Sequence, residues 1–176
     1  PRPWAEDEAA EALKETLGRA VTSQMMSDVP LGAFLSGGID SSAIVGLMSN
    51  TSAGSTGPVN TFSMGFTDGS YNELPYAREI AERFETRHRE SVVEPHVEDL
   101  FDKLVAHLDE PFADVSLFPT YLVSQMAREH VTVALSGDGG DELFGGYDAY
   151  AADAMARRMS RVVPRGAVPA LAGVAA

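Results

Sequence analysis

Apolar residues fall into two patterns that alternate along the chain. Leu13, Leu17, Ala20 and Met25 recur at roughly helical spacing over 6–26, with acidic residues at the N-terminal end where the helix dipole favours them, and predict a helix. Asp28-Val29-Pro30 closes it, and Leu31-Gly32-Ala33-Phe34-Leu35 is a short apolar run of the kind a buried parallel strand presents. After Ser36-Gly37-Gly38, a helix is predicted over 41–48, a surface connection over 50–58 and a second strand over 61–66. Leu74, Ala77, Ile80, Ala81 and Phe84 mark one face of a helix over 72–87, and a third strand follows over 89–93. The clearest helical stripe is Val97, Leu100, Phe101, Leu104, Val105 and Leu108, closed by Asp109-Glu110-Pro111. A helix over 120–130, a β-branched strand over 131–135 and a last helix over 142–159 complete the series.

Strands alternating with helices predict right-handed βαβ units, hence an α/β fold: a doubly wound parallel sheet with helices on both faces. In such sheets ligands bind beyond the carboxyl ends of the strands, near the switch point in strand order. Residues 36–42 and 136–142 are therefore expected on one rim. A single domain over 1–176 is expected, with 160–176 a loose tail.

Composition narrows the chemistry. The chain has no cysteine, which removes disulfides, thiolate zinc sites and thiol nucleophiles, so catalysis must rest on oxygen and nitrogen groups. A net charge of −13 argues against a nucleic-acid partner, whose binding draws on Lys and Arg. The apolar stretch 166–176 falls well short of the ~20 residues that span a bilayer, and the N-terminus lacks a signal peptide's order. A cytoplasmic location without a membrane partner is the expectation.

Two glycine-rich turns carry the candidate chemistry. In Ser36-Gly37-Gly38-Ile39-Asp40-Ser41-Ser42, backbone N–H groups and the positive end of a helix can converge on one anion, and the glycines permit a tight turn and close approach. Asp40 would repel a phosphate unless a divalent cation lies between them, which points to Mg²⁺. The plainer alternative is that Asp40 or Ser41 only caps the helix. The second turn, Ser136-Gly137-Asp138-Gly139-Gly140-Asp141-Glu142, sets carboxylates beside flexible backbone at the end of another strand, suited to Mg²⁺ coordination or proton transfer. Its plainer alternative is an acidic helix start. The alternate-residue spacing of an EF-hand is absent.

Ser36-Gly37-Gly38-Ile39-Asp40-Ser41 resembles the PP-loop of the ATP pyrophosphatases, which have an adenine nucleotide alpha hydrolase-like fold. The longer stretch 29–42, with 60–66, 109–114 and 135–147, is similar to glutamine-hydrolysing asparagine synthetases and the related β-lactam synthetases, and the resemblance runs over about 4–150. It implies a ligase that uses Mg-ATP to activate the aspartate side-chain carboxylate as an adenylate, releasing pyrophosphate, before ammonia displaces AMP to give asparagine. It further implies that Leu35, Met64 and Gly137 line the adenine and ribose pocket. Ser36, Gly37, Gly38, Ser41 and Ser42 would hold pyrophosphate, Ser136 and Asp138 would also face the nucleotide, and Asp40 and Asp141 would bind Mg²⁺. Asp40, Asp138 and Asp141 are the catalytic candidates, although many relatives carry Glu where Asp138 stands.

The family's complete enzymes carry an N-terminal glutaminase domain with a terminal cysteine nucleophile. This chain begins at Pro1, has no cysteine, and its lysines Lys14 and Lys103 fall in predicted surface helices. A C-terminally truncated synthetase fragment of weak or no activity is expected, and the resemblance leaves a homodimer open. Two rival functions stand beside this: a PP-loop enzyme acting on another carboxylate, and a nucleotide-binding module without catalysis. Asp109, Glu110 and Asp114 are candidates to approach an amino-acid substrate, though Val115 stands where many relatives have proline. His88, His96, His107 and His130 lack metal-ligand spacing and are expected to be solvated or capping. Met25, Met26, Met126, Met155 and Met159 are expected in the core or at helix caps.

Overall fold

A computed structural model describes residues 4–52, 57–67, 72–93, 97–110, 112, 114 and 116–160. The elements run α1 (Glu6–Gln24), β1 (Leu31–Phe34), α2 (Ile39–Ser52), β2 (Asn60–Phe66), α3 (Leu74–Arg83), β3 (Arg87–Val93), α4 (Val97–Val105), α5 (Leu117–Arg128), β4 (Val133–Leu135), α6 (Gly140–Phe144) and α7 (Asp148–Ser160). Of the tail expected over 160–176, Ser160 closes α7, while 161–176, like His96, lie outside the described residues. Two compact units divide the chain, one through Gly137 and one from Asp138.

In the first unit the strands form one parallel sheet in the order β3-β2-β1-β4. The chain builds outward from β1 through β2 to β3, then returns to place β4 on β1's other side. The switch point therefore lies between β1 and β4, where a doubly wound sheet opens a crevice at its carboxyl edge.

Alternation of side chains along the strands divides the apolar interior between two faces. Ala33 and Leu35 pack with Val21 of α1, Val45 and Met48 of α2, and Ala77 and Ala81 of α3. Phe34 and Phe62 pack with Val123, Met126 and Ala127 of α5, and with Val131. Phe62 is fully buried, and burying a side chain of that size contributes roughly 1.5–3 kcal/mol. The α/β fold with helices on both faces is thus the observed one.

Several boundaries differ from expectation, each for a local reason. The second helix reaches Ser52, because Thr51 folds its hydroxyl back onto the Leu47 carbonyl at 2.9 Å instead of breaking the turn. The third ends at Arg83, not near residue 87: Glu85 adopts φ 51° and the Thr86 N–H reaches back 3.0 Å to the Ala81 carbonyl, a left-handed closure that frees Arg87 to open β3. In α4 the stripe is half realised. Leu104 is buried but Phe101 and Val105 are exposed, and with Leu108, Leu117 and Phe118 they line a cavity of about 630 Å³.

The second unit holds α6 and α7, where the sequence pattern predicts a single helix. Gly145 at φ 72° breaks the run, its N–H and that of Gly146 both bonding the Asp141 carbonyl at 2.9 and 3.0 Å. Met155 and Met159 of α7 are exposed, as is Met26 after α1, so these three are not the core residues their apolarity suggests; Met25 and Met126 do pack against core.

Candidate functional site

The first turn springs from the carboxyl end of β1. Leu35, 2% exposed, anchors it in the core and donates its N–H to the Phe62 carbonyl at 2.9 Å. Gly37 then takes φ +85°, a conformation that only glycine adopts without strain. It is also crowded: a Cβ here would lie 2.6 Å from Tyr76 Cβ and 2.7 Å from the Ala77 nitrogen, so the N-terminal turn of α3 is the wall behind the loop. No motif points to Tyr76, an exposed aromatic placed there by tertiary packing alone.

Serine hydroxyls hold the turn together. Ser41 Oγ accepts from the Ser36 N–H at 3.2 Å and lies 2.9 Å from Ser36 Oγ, which accepts from the Gly38 N–H at 3.2 Å. The Ser42 N–H makes the first bond of α2, to the Gly38 carbonyl at 3.0 Å, so the N–H groups of Ile39, Asp40 and Ser41 precede any intrahelical acceptor. Ser42 Oγ is buried without a hydrogen-bond partner. The unpartnered Ser42 hydroxyl, beside N–H groups that stand ahead of the first helical bond, is a donor that an incoming polyanion would use.

The opening residues of the second turn, Ser136 and Gly137, belong to the first unit and meet the first turn there. β4 ends at Leu135, paired with Ala33 of β1, and Gly137 settles against the start of α2. A Cβ on Gly137 would lie 2.7 Å from the Ser41 nitrogen and 3.0 Å from the Asp40 carbonyl carbon, so only a hydrogen fits between the two turns. Ser136 and Gly137 are both partly exposed at this edge, as is Met64 near the end of the adjacent β2.

Asp40, in the first turn of α2, has no hydrogen-bond or ion-pair partner among the described residues, so the helix-capping alternative for its side chain is not realised. Ser41 does turn its hydroxyl toward the Gly38 carbonyl, at 3.3 Å. No group of three or more acidic or histidine side chains suited to a metal ion occurs among the described residues. That donor set fits Mg²⁺ only in company with phosphate, since Mg²⁺ commonly takes one or two carboxylates plus phosphate oxygens and water.

In the second unit Asp138 is exposed and follows directly on Gly137. Asp141 lies in α6, with its carboxylate in the space that a Cβ on Gly146 would take, so a side chain there would push the carboxylate aside. Glu142 accepts the Tyr147 hydroxyl at 2.7 Å, which holds its carboxyl below the usual range and pushes the Tyr147 phenol up to about 12.

Of the other candidates, Asp109, Glu110 and Asp114 line the α4–α5 cavity, and the Ser116 N–H at 2.8 Å lowers the Asp114 carboxyl. His107 Nδ1 lies 2.6 Å from the Lys103 carbonyl, and His130 stacks on Phe62. His88 departs from the solvated expectation. It is largely buried, with Nδ1 2.9 Å from Thr61 Oγ1, because β3 registers it opposite Thr61.

The model of the family described as asparagine synthase matches residues 12–175. The chain belongs to the asparagine synthase family. Among its relatives, a Methanocaldococcus jannaschii protein assigned as a glutamine-hydrolyzing asparagine synthetase is 52% identical over 135 residues, covering 76% of this chain and 26% of that protein. Asparagine synthetase (glutamine-hydrolyzing) 1 of Bacillus subtilis is 40% identical over 152 residues, covering 85% and 23%. This member of the family thus spans about a quarter of the length of those relatives. NMN synthetase from Francisella tularensis shares the fold, with a TM-score of 0.51 at 16% identity, covering 82% of this chain and 59% of that one. No helix among the described residues is long and apolar enough to cross a membrane.

What the motifs leave out in this family member is the support around the first turn. Arg78 of α3 makes paired bonds to Glu90 of β3, at 2.8 and 2.6 Å, and these hold the Glu90 carboxyl below its usual range. Thr61 Oγ1 lies 2.8 Å from Thr86 Oγ1, tying β2 to the start of β3. The only advance signal was polar residues, Thr61 and Ser63, recurring at a two-residue interval in an otherwise apolar strand.

Proposed function

We propose that this chain is the nucleotide-binding part of an amide-forming ligase, in which Mg-ATP activates a carboxylate as its acyl-adenylate and ammonia then displaces AMP. The supporting observation is the seating of Gly137 on the Asp40–Ser41 backbone at the switch point between β1 and β4. Ser136 and Gly137, which open the second turn, thereby stand at the carboxyl edge where the first turn leaves β1.

In this reading the N–H groups of Ile39 and Asp40 and the hydroxyls of Ser36, Ser41 and Ser42 take the β- and γ-phosphates, with Gly37 and Gly38 allowing close approach. Leu35, Met64, Ser136 and Gly137 border the adenosine. Asp40, with Asp141 from the second turn, is the ligand set for Mg²⁺, which when bound neutralises charge on the leaving pyrophosphate. Fixed donors aimed at that charge lower the barrier without reorganising as it develops. Asp138 is assigned to the amine's protons as ammonia attacks. The carboxylate is aspartate's side chain and the product asparagine, with the ammonia coming from a glutaminase domain in the longer protein.

Calorimetry tests the site directly. ATP is expected to bind the wild-type chain more tightly with Mg²⁺ than without, and Asp40→Ala is expected to abolish that difference. Identical titrations of the two proteins would sink the reading. Pyrophosphate release by the longer protein, dependent on aspartate and not on other carboxylates, tests the acceptor.

A further inference from the structure

The first turn is held at its entrance by a residue outside both glycine motifs. The register between β1 and β2 ends at the pair Phe34 and Phe62. One residue on, the Ser63 hydroxyl donates to the Leu35 carbonyl. Ser63 is 3% exposed, and a hydroxyl buried so deeply in a sheet costs stability unless it is hydrogen-bonded. Thr61, two residues earlier on the same strand face, uses its hydroxyl sideways toward β3. Ser63 turns the other way, toward the loop.

The Leu35 carbonyl and the Ser36 N–H belong to a single planar peptide unit and point in opposite directions from it. Ser63 holds the carbonyl side of that plane, and Ser41 Oγ holds the N–H side at 3.2 Å. Ser41 Oγ in turn contacts Ser36 Oγ at 2.9 Å. A continuous path therefore leads from a buried β2 side chain, through one rigid peptide plane, to both hydroxyls at the mouth of the turn. Rotating that plane would move the bond to Ser41 and redirect the chain just before Gly37.

We propose that Ser63 is a positioning residue for the glycine turn, clamping the Leu35–Ser36 peptide so that the Ser36 and Ser41 hydroxyls are preset for a triphosphate. Its consequence for ATP rests on the nucleotide reading above; the clamp itself does not. Ser63→Ala removes the donor and leaves the strand's apolar packing in place.

Amide hydrogen exchange on the protein without nucleotide reads the clamp. In Ser63→Ala, exchange at Ser36 and Gly38 is expected to rise roughly 3- to 10-fold, the worth of one hydrogen bond, with Phe62 and the rest of β2 unchanged. Ser63→Thr, which keeps the hydroxyl, is expected to restore wild-type exchange. Ser49→Ala, which removes another buried hydroxyl of this unit that has no partner, is the neutral control. Unchanged exchange at Ser36 and Gly38, or a uniform rise across β2, overturns the proposal. In calorimetry with Mg-ATP, Ser63→Ala is expected to weaken binding by a similar roughly 3- to 10-fold, with the protein still folded at the temperature of the titration. Wild-type protein that fails to bind ATP while the exchange arm responds defeats the nucleotide reading and leaves the clamp standing. Wild-type affinity in Ser63→Ala, with unchanged exchange, defeats the clamp and leaves the nucleotide reading.

Discussion

The two glycine turns reach their shapes by opposite routes. The first is imposed from outside: Gly37 is pressed by Tyr76 and Ala77, Leu35 is held by Ser63, and Asp40 and Ser41 are pressed by Gly137. Beyond Gly137 the second is written locally, with Gly139 at φ +91° meeting nothing within 4 Å of a built Cβ and Gly145 at φ +72° ending a helix of one turn. Turns shaped by packing and turns shaped by backbone conformation should respond to substitution in two different ways.

The largest expected effects are in the packed turn. Gly137→Ala drives a Cβ into backbone on α2 that cannot swing aside, at a cost of ~1–3 kcal/mol, and Gly37→Ala adds to a similar clash a left-handed strain of ~1–3 kcal/mol. Both are expected to reduce ATP binding more than 10-fold by calorimetry, together with lowered melting temperatures. Gly139→Ala has only its φ to resist, costs the ~1–3 kcal/mol of left-handed strain locally without a clash, and is expected to leave the melting temperature of the first unit unchanged. Equal losses at Gly137 and Gly139 would erase the distinction between the turns.

The contrast also explains what was legible in advance. The sheet, its parallel sense and the carboxyl-edge placement of both turns follow from strand-helix alternation and the loop sequences, because apolar period and glycine position are local properties. Tyr76 behind Gly37, Ser63 on the Leu35 carbonyl and Thr61 beside His88 join residues 25 to 40 positions apart in the chain, and such pairings depend on register. The breaks at Glu85 and Gly145 were missed for another reason: the helical period continues through both, while a single positive φ ends the helix.

A smaller effect follows from His88 of β3, which contacts Thr61 of β2 in the sheet that carries the packed turn. Burial pushes its imidazole below the ordinary value, the Glu90 carboxylate opposes that shift and Arg78 adds to it. Folding therefore favours the neutral ring, and protonation favours the unfolded chain. Stability is expected to be fully present above the ordinary histidine value of about 6.5 and to decline as pH falls through it toward the lower folded value. Glu90, held low by Arg78, stays ionised through that window. Melting temperatures followed across it should slope downward in the wild type and flatten in His88→Gln; a wild-type slope of the opposite sign would mean that Glu90 outweighs burial.

The smallest effect belongs to the locally written turn and is spectroscopic. Tyr147 donates to Glu142 at 2.7 Å, and this bond is the leading reason its phenol rises to about 12, with the nearby Asp141 carboxylate contributing. Because both partners are solvent-exposed, the pair should barely affect folding. Its removal should nevertheless be visible: in Glu142→Ala, which takes away the acceptor as well as the charge, ultraviolet titration is expected to bring one tyrosine back toward the ordinary value of about 10, while ATP binding at the packed turn stays unchanged. A tyrosine that remains at about 12 in this variant would mean that desolvation, Asp141 and Tyr150 outweigh the Glu142 bond, and a change in ATP affinity would show that the local turn and the packed one are energetically coupled.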